Sequence, residues 1–178
     1  MRTRGINHLA LVCNDMAQTV KFYTEVLEMP PVKTIALTDG GQHFFFDSGG
    51  NLLAFFWWAD APAAAPGIAS VEDFPSKPKS AVGSMNHVAF DVDEAELEAS
   101  VARLQAAGVP VLPMVVNHDD SPMGVAAEKH DGVFVRSVYF RDPNGIMLEF
   151  ATFTRALDRP EDVRHEPATA AMRIPQEA

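Results

Sequence analysis

The chain has 178 residues, 47% of them hydrophobic and 21% charged, enough for one substantial core or two half-sized modules that share one. A net charge of -10 argues against nucleic acid or an anionic membrane as a partner. Cys13 is the only cysteine, which excludes an intrachain disulfide, and no apolar stretch approaches the roughly 20 residues of a membrane span, so the expected compartment is the cytoplasm.

Residues 6–12 (INHLALV) form a short run of strand formers interrupted by Asn7 and His8. Asn14-Asp15 supplies a helix start, and residues 16–29 place Val20, Tyr23, Val26 and Leu27 on one helical face before Pro30-Pro31 stops it. Residues 32–37 and 42–46 read as strands joined by the Thr38-Asp39-Gly40-Gly41 turn. Residues 52–58 make a further strand, apolar on both faces. Residues 59–84 turn to Ala, Pro, Ser and Lys and read as a linker.

The pattern then starts again. Met85-Asn86-His87-Val88-Ala89-Phe90 repeats Ile6-Asn7-His8-Leu9-Ala10-Leu11. Residues 94–107 form a second amphipathic helix, with Leu97, Val101 and Leu104 on one face and Gly108 at its end. Residues 109–116 read as a strand and 117–132 as a long polar loop, long enough for a lid. Residues 133–140 and 146–153 read as strands around Asp142-Pro143-Asn144-Gly145. The expected class is therefore α+β, with two βαβββ modules (residues 1–58 and 85–153) whose sheets pair to enclose a cavity. Residues 154–178 follow as a polar tail or an arm for a partner subunit.

Strand alternation puts His8 and His87 at matching positions, on the faces that carry Ala10 and Ala89. The pseudo-two-fold relation predicts that they face each other across the cavity, with Glu149 in the same space. Glu149 lies between Leu148 and Phe150, where an uncompensated carboxylate would be costly to bury. A metal held by His8, His87 and Glu149 would compensate it, and two imidazoles and a carboxylate are a set that suits Fe(II). By the same alternation Leu52, Ala54, Phe56 and Trp58 line the cavity as an apolar, aromatic wall for a small hydrophobic ligand. Ala54 stands where a fourth ligand would be, so the protein supplies three.

These residues resemble the vicinal oxygen chelate superfamily, which includes glyoxalase I, bleomycin- and fosfomycin-resistance proteins, methylmalonyl-CoA epimerase and type I extradiol dioxygenases. The resemblance covers about residues 5–153 and rests on the N-H-[LV]-A-[LF] strands and the segment YFRDPNGIMLEF. The run from His130 through Val138-Tyr139 and Asp142-Pro143 to Glu149 resembles the extradiol dioxygenase signature, except for Glu128 two residues before the histidine. That resemblance implies Fe(II), with Mn, Ni or Zn as other fits, and O2 and a catechol-like aromatic as reactants. It also implies that Tyr139 hydrogen-bonds a substrate oxygen, that His130 orients the substrate, and that the chain forms a homodimer. One departure counts against it: the strand of residues 52–58 lacks the acid–base histidine of the ring-cleaving enzymes, and nothing in the sequence places His43 or His118 in that role. A glyoxalase-like lyase or isomerase forming an enediolate is the second expectation, and a metal-free binding protein the third.

Overall fold

The computed structural model describes residues 3–65 and 79–172. Strand β1 (His8–Val12) leads to Asp15, whose carboxylate accepts from the Gln18 amide at 2.9 Å and starts helix α1 (Met16–Lys21). The helix widens into a π-type turn over Phe22–Val26, which buries Phe22 and Tyr23. It ends where Glu28 takes a positive φ of 57°. The predicted helix of residues 16–29 is therefore shorter and changes its winding part-way.

Strands β2 (Pro31–Ala36), β3 (Gln42–Asp47) and β4 (Leu52–Trp57) complete a four-stranded sheet in the order β1-β4-β3-β2, with β1 parallel to β4. The second unit repeats this plan: β5 (Val88–Asp91), α2 (Glu94–Ala106), β6 (Val116–His118), β7 (Val125–Ala126), β8 (Val135–Arg141) and β9 (Met147–Phe153). Its sheet runs β5-β9-β8-β6-β7, with β5 parallel to β9. The paired modules of the α+β class are thus present, the first as βαβββ and the second with the two-residue β7 as an added fifth strand.

Differences from expectation follow from proline and from pairing. Residues 109–116 do not form a regular strand. Pro110 and Pro113 lack amide hydrogens, so only Val111 bridges to Phe140, while Leu112 N donates to the Tyr139 carbonyl at 2.8 Å. The regular strand begins at Val116, and the predicted polar loop of residues 117–132 contains the β6–β7 hairpin. In the predicted linker, residues 61–65 and 79–80 carry no helix or strand, and residues 66–78 lie outside the described part. The tail turns back through short helical turns at Pro160–Val163 and Ala170–Met172. Among the described residues no helix is long and apolar enough to cross a membrane.

One continuous core joins the modules. It takes Phe46, Leu53 and Phe55 from the first sheet and Val138, Phe140 and Leu148 from the second. Met16, Phe22 and Tyr23 come from the first helix and Leu97 and Leu104 from α2. These are the sheet faces opposite His8 and Glu149. The Asp142–Gly145 turn fastens the joint: Tyr23 Oη donates to Asp142 Oδ2 at 3.3 Å, and Asn144 Oδ1 accepts from the Asn14 amide at 2.9 Å. On the two remaining faces, among the described residues, His8, Ala10, Val12, His87 and Ala89 are exposed, while Ala54, Tyr139, Met147 and Glu149 are buried.

Candidate metal centre

Register places Glu149 opposite Ala89 on one side and Tyr139 on the other. His87 precedes β5 by one residue, and its Nε2 lies 2.8 Å from Glu149 Oε2. Glu149 is only 5% exposed. Burial alone would raise its carboxyl, but the His87 imidazole and the nearby Ser137 hydroxyl outweigh that and hold it below the usual carboxylate range.

The two sequence repeats share a local device. Asn86 Oδ1 sits 2.8 Å from His87 Nδ1, and Asn7 Oδ1 sits 2.8 Å from His8 Nδ1. A carbonyl oxygen can only accept, so Nδ1 carries the hydrogen in both rings, and Nε2 presents the lone pair. Asn86 Nδ2 also lies 3.2 Å from Ser80 Oγ, to which it donates. At 2.8 Å, His87 Nε2 and a carboxylate oxygen need a proton or a cation between them. The donor set therefore fits a divalent metal: two imidazoles whose Nε2 atoms lie on the ring side away from their asparagines, and one buried carboxylate.

The structure brings His87 and Glu149 together but not His8. His8 lies on the first sheet against the Phe45 ring, 5.9 Å between centroids. Among the described residues no three His, Cys, Asp or Glu side chains gather as one metal site. The expected meeting of His8 and His87 across a cavity of the same chain does not occur, because the core occupies the opposite faces.

The predicted catalytic pair also separates. Tyr139 is buried beside Glu149, edge-on to the His87 ring at 5.8 Å. Burial, and then the Glu149 charge, push its phenol far above the ordinary value, so it remains a donor. His130 is instead a loop residue: its side chain is half exposed, Nε2 lies 3.3 Å from Asp119 Oδ2, and Nδ1 accepts from the Gly132 amide. The residue that meets Tyr139 is His118, whose Nε2 lies 3.1 Å from the phenolic oxygen. Burial lowers the His118 imidazole despite the opposing charge of Glu149, which favours its neutral form. The sequence names His118 but does not place it, because the polar run from Asn117 hides the last two residues of β6. The predicted wall of Leu52, Ala54, Phe56 and Trp58 lies on the His8 face, as β4 pairs Leu52 with His8, Ala54 with Ala10 and Phe56 with Val12.

Residues 5–150 match the sequence profile of the Glyoxalase/Bleomycin resistance protein/Dioxygenase superfamily. The chain belongs to that superfamily. Among its relatives, the metallothiol transferase FosB of Shouchella clausii (strain KSM-K16) is 29% identical over 166 residues, covering 93% of this chain and 89% of that protein. The glyoxalase family protein from Enterococcus faecalis superimposes with a TM-score of 0.59 at 23% identity, covering 83% of this chain and 97% of that one. The fosfomycin resistance protein FosX from Listeria monocytogenes, solved with Mn(II) and sulfate, gives 0.55 at 17% identity, over 86% of this chain and 95% of that one. The superfamily likeness thus holds in sequence and in fold, and these two structural likenesses carry the fold alone.

Proposed function

We propose that the protein is a divalent-metal-dependent enzyme working as a homodimer, in which His8 of one copy joins His87 and Glu149 of the other. The observation that carries the reading is the group around Glu149: His87 at 2.8 Å, Tyr139 opposite it in register, and His118 at 3.1 Å from the Tyr139 hydroxyl. His8 has the same Asn-oriented Nε2 as His87 but lies on a separate open face of the same chain. A two-fold partner places one face against the other and completes two equal sites. A bound divalent metal would supply Lewis-acid polarisation of a substrate oxygen.

The chain's own residues then stabilise and protonate that oxygen. Tyr139, held as a neutral phenol, donates a hydrogen bond to negative charge developing on it. His118, neutral and hydrogen-bonded to Tyr139, can relay a proton through the phenol. The FosB likeness favours group transfer: a thiol sulfur forms a bond to an electrophilic carbon and the carbon–oxygen bond breaks. The thiol proton passes to the released oxygen through the Tyr139–His118 pair. Mn(II) is the metal to try first, beside Fe(II).

A second reading, ring cleavage of a catechol by O2, is favoured by His118, which supplies a proton-transfer group where β4 has none. Enediolate chemistry would use the same groups. The discriminating assay incubates Mn(II)- or Fe(II)-loaded protein with L-cysteine and fosfomycin, and separately with catechol in an oxygen electrode. Loss of free thiol without oxygen uptake supports transfer. Oxygen uptake with a yellow product would replace it with the dioxygenase reading. Metal binding without turnover of either would point to a binding protein.

A further inference from the structure

On the open face that carries His8, aromatic rings form a continuous row. The His8 ring meets Phe45 at 5.9 Å, and Phe45 meets His43 at 4.2 Å. His43 stacks on Phe56 at 3.6 Å with 12° between planes, and Phe56 stacks on Trp58 at 4.8 Å with 6°. Trp58 Nε1 closes the row by donating to Asp39 Oδ2 at 3.1 Å.

Stacking alone does not require a histidine at position 43. The neighbouring positions of β3 hold Phe44, Phe45 and Phe46, and phenylalanine would fill the same slot without a polar atom. His43 Nε2 is buried and meets no hydrogen-bond partner among the described residues, an arrangement that costs stability. A neutral imidazole keeps one N–H and one lone pair, so it can donate on one edge and accept on the other. A half-turn about the bond from Cβ to the ring keeps the stack on Phe56. It puts carbon in the buried position and carries Nε2 to the other edge of this part-exposed ring.

We propose that His43 is a substrate-binding residue that gives the aromatic wall beside His8 a hydrogen-bonding group, selecting a ligand with a planar ring that bears a polar substituent. The inference rests on the shared metal centre: the copy that supplies His8 also supplies the wall and His43, while the other copy supplies Glu149, Tyr139 and His118.

Hydroxamates test it without turnover, since they chelate metals through two neighbouring oxygens. Calorimetric titrations of the Mn(II)-loaded full chain would use acetohydroxamate, benzohydroxamate, and benzohydroxamates carrying a hydroxyl at the ortho, meta or para position. The ring should tighten binding relative to acetohydroxamate, and one hydroxylated isomer should bind about tenfold more tightly again, the size of one well-made hydrogen bond. His43→Phe should keep Mn(II) and the preference for the ring within about twofold and lose the gain from the hydroxyl, and His43→Gln should restore part of it. Absence of the ring preference or of the hydroxyl gain in the wild type, or survival of the hydroxyl gain in His43→Phe, overturns the proposal. Failure of the wild type to take up Mn(II) overturns instead the metal centre on which it rests, and the proposal with it.

Discussion

Tyr23 and Asp142, 119 residues apart, meet through a 3.3 Å hydrogen bond at the joint between the two modules. Asp142 also accepts from the backbone amides of Asn144 and Ile146 and from Asn144 Nδ2, so the turn and the joint share one buried carboxylate. This bond helps to hold the modules by the faces opposite His8 and Glu149, so those two faces lie outside the joint.

Asp142→Asn should therefore destabilise the fold without touching the open faces. It replaces an accepting oxygen by a donor among donors, at a cost of about 1–3 kcal/mol. The melting temperature should fall by about 2–4 °C per kcal/mol for a chain of this size. An unchanged melting temperature would mean that the turn does not carry the joint.

The parts of the fold that the sequence reveals are those with a repeated signal. The N-H-x-A strands, the two helices and the Asp142–Gly145 turn stand out by their spacing, and the β4 and β9 alternation assigns Ala54 and Glu149 to the same kind of face. Two things were hidden. The meeting of Tyr139 with His118 depends on a three-residue strand inside a polar segment, too short for any periodicity. The separation of His8 from His87 depends on which faces the modules bury, and both faces of β4 are apolar: Leu53 and Phe55 fill the core while Ala54 and Phe56 line the open side. His130 is placed differently from Tyr139. Its spacing from Tyr139 fits a known signature, but its neighbours Asp119 and Gly132 hold it in the loop.

The Asn–His pairs make a direct prediction. Asn7→Ala and Asn86→Ala each release one Nδ1 and its ring orientation, while leaving all three proposed ligands in place. Each should weaken Mn(II) affinity by about 10–100-fold, as loss of an outer hydrogen bond to a ligating imidazole does elsewhere. Competition against a metal-sensitive dye would measure it. Equal affinity in both variants would show that the asparagines only shape the backbone.

Tyr139→Phe preserves the buried ring and removes the donor that faces His118. Metal uptake and melting temperature should stay close to wild type, whereas thiol transfer should slow by about 10²-fold or more. Full activity in this variant would remove Tyr139 and His118 from the proton path.

The tail offers a pH prediction. Arg155 grips both oxygens of Asp162 at 3.0 and 2.6 Å, and the Arg159 amide adds a third bond, so the carboxyl is lowered to about 2 from its ordinary 3.8. A lowered carboxyl stabilises the contact fully above its ordinary value and loses it as pH falls toward about 2. Hydrogen-exchange protection of the Arg159 amide should hold down to about pH 4 and fade below it. Asp162→Asn should lack that protection at every pH.

In the proposed dimer each metal centre takes His8 from one copy and His87 with Glu149 from the other. His8→Ala and Glu149→Ala chains, each deficient in Mn(II) binding alone, are mixed, exchanged under mild denaturant and titrated with Mn(II). A mixed dimer has one centre with all three ligands and one with neither His8 nor Glu149. One tight Mn(II) per mixed dimer should be recovered if the centre is shared between copies. No recovery, with mixed dimers demonstrably formed, would contradict it and return the metal site to a single chain.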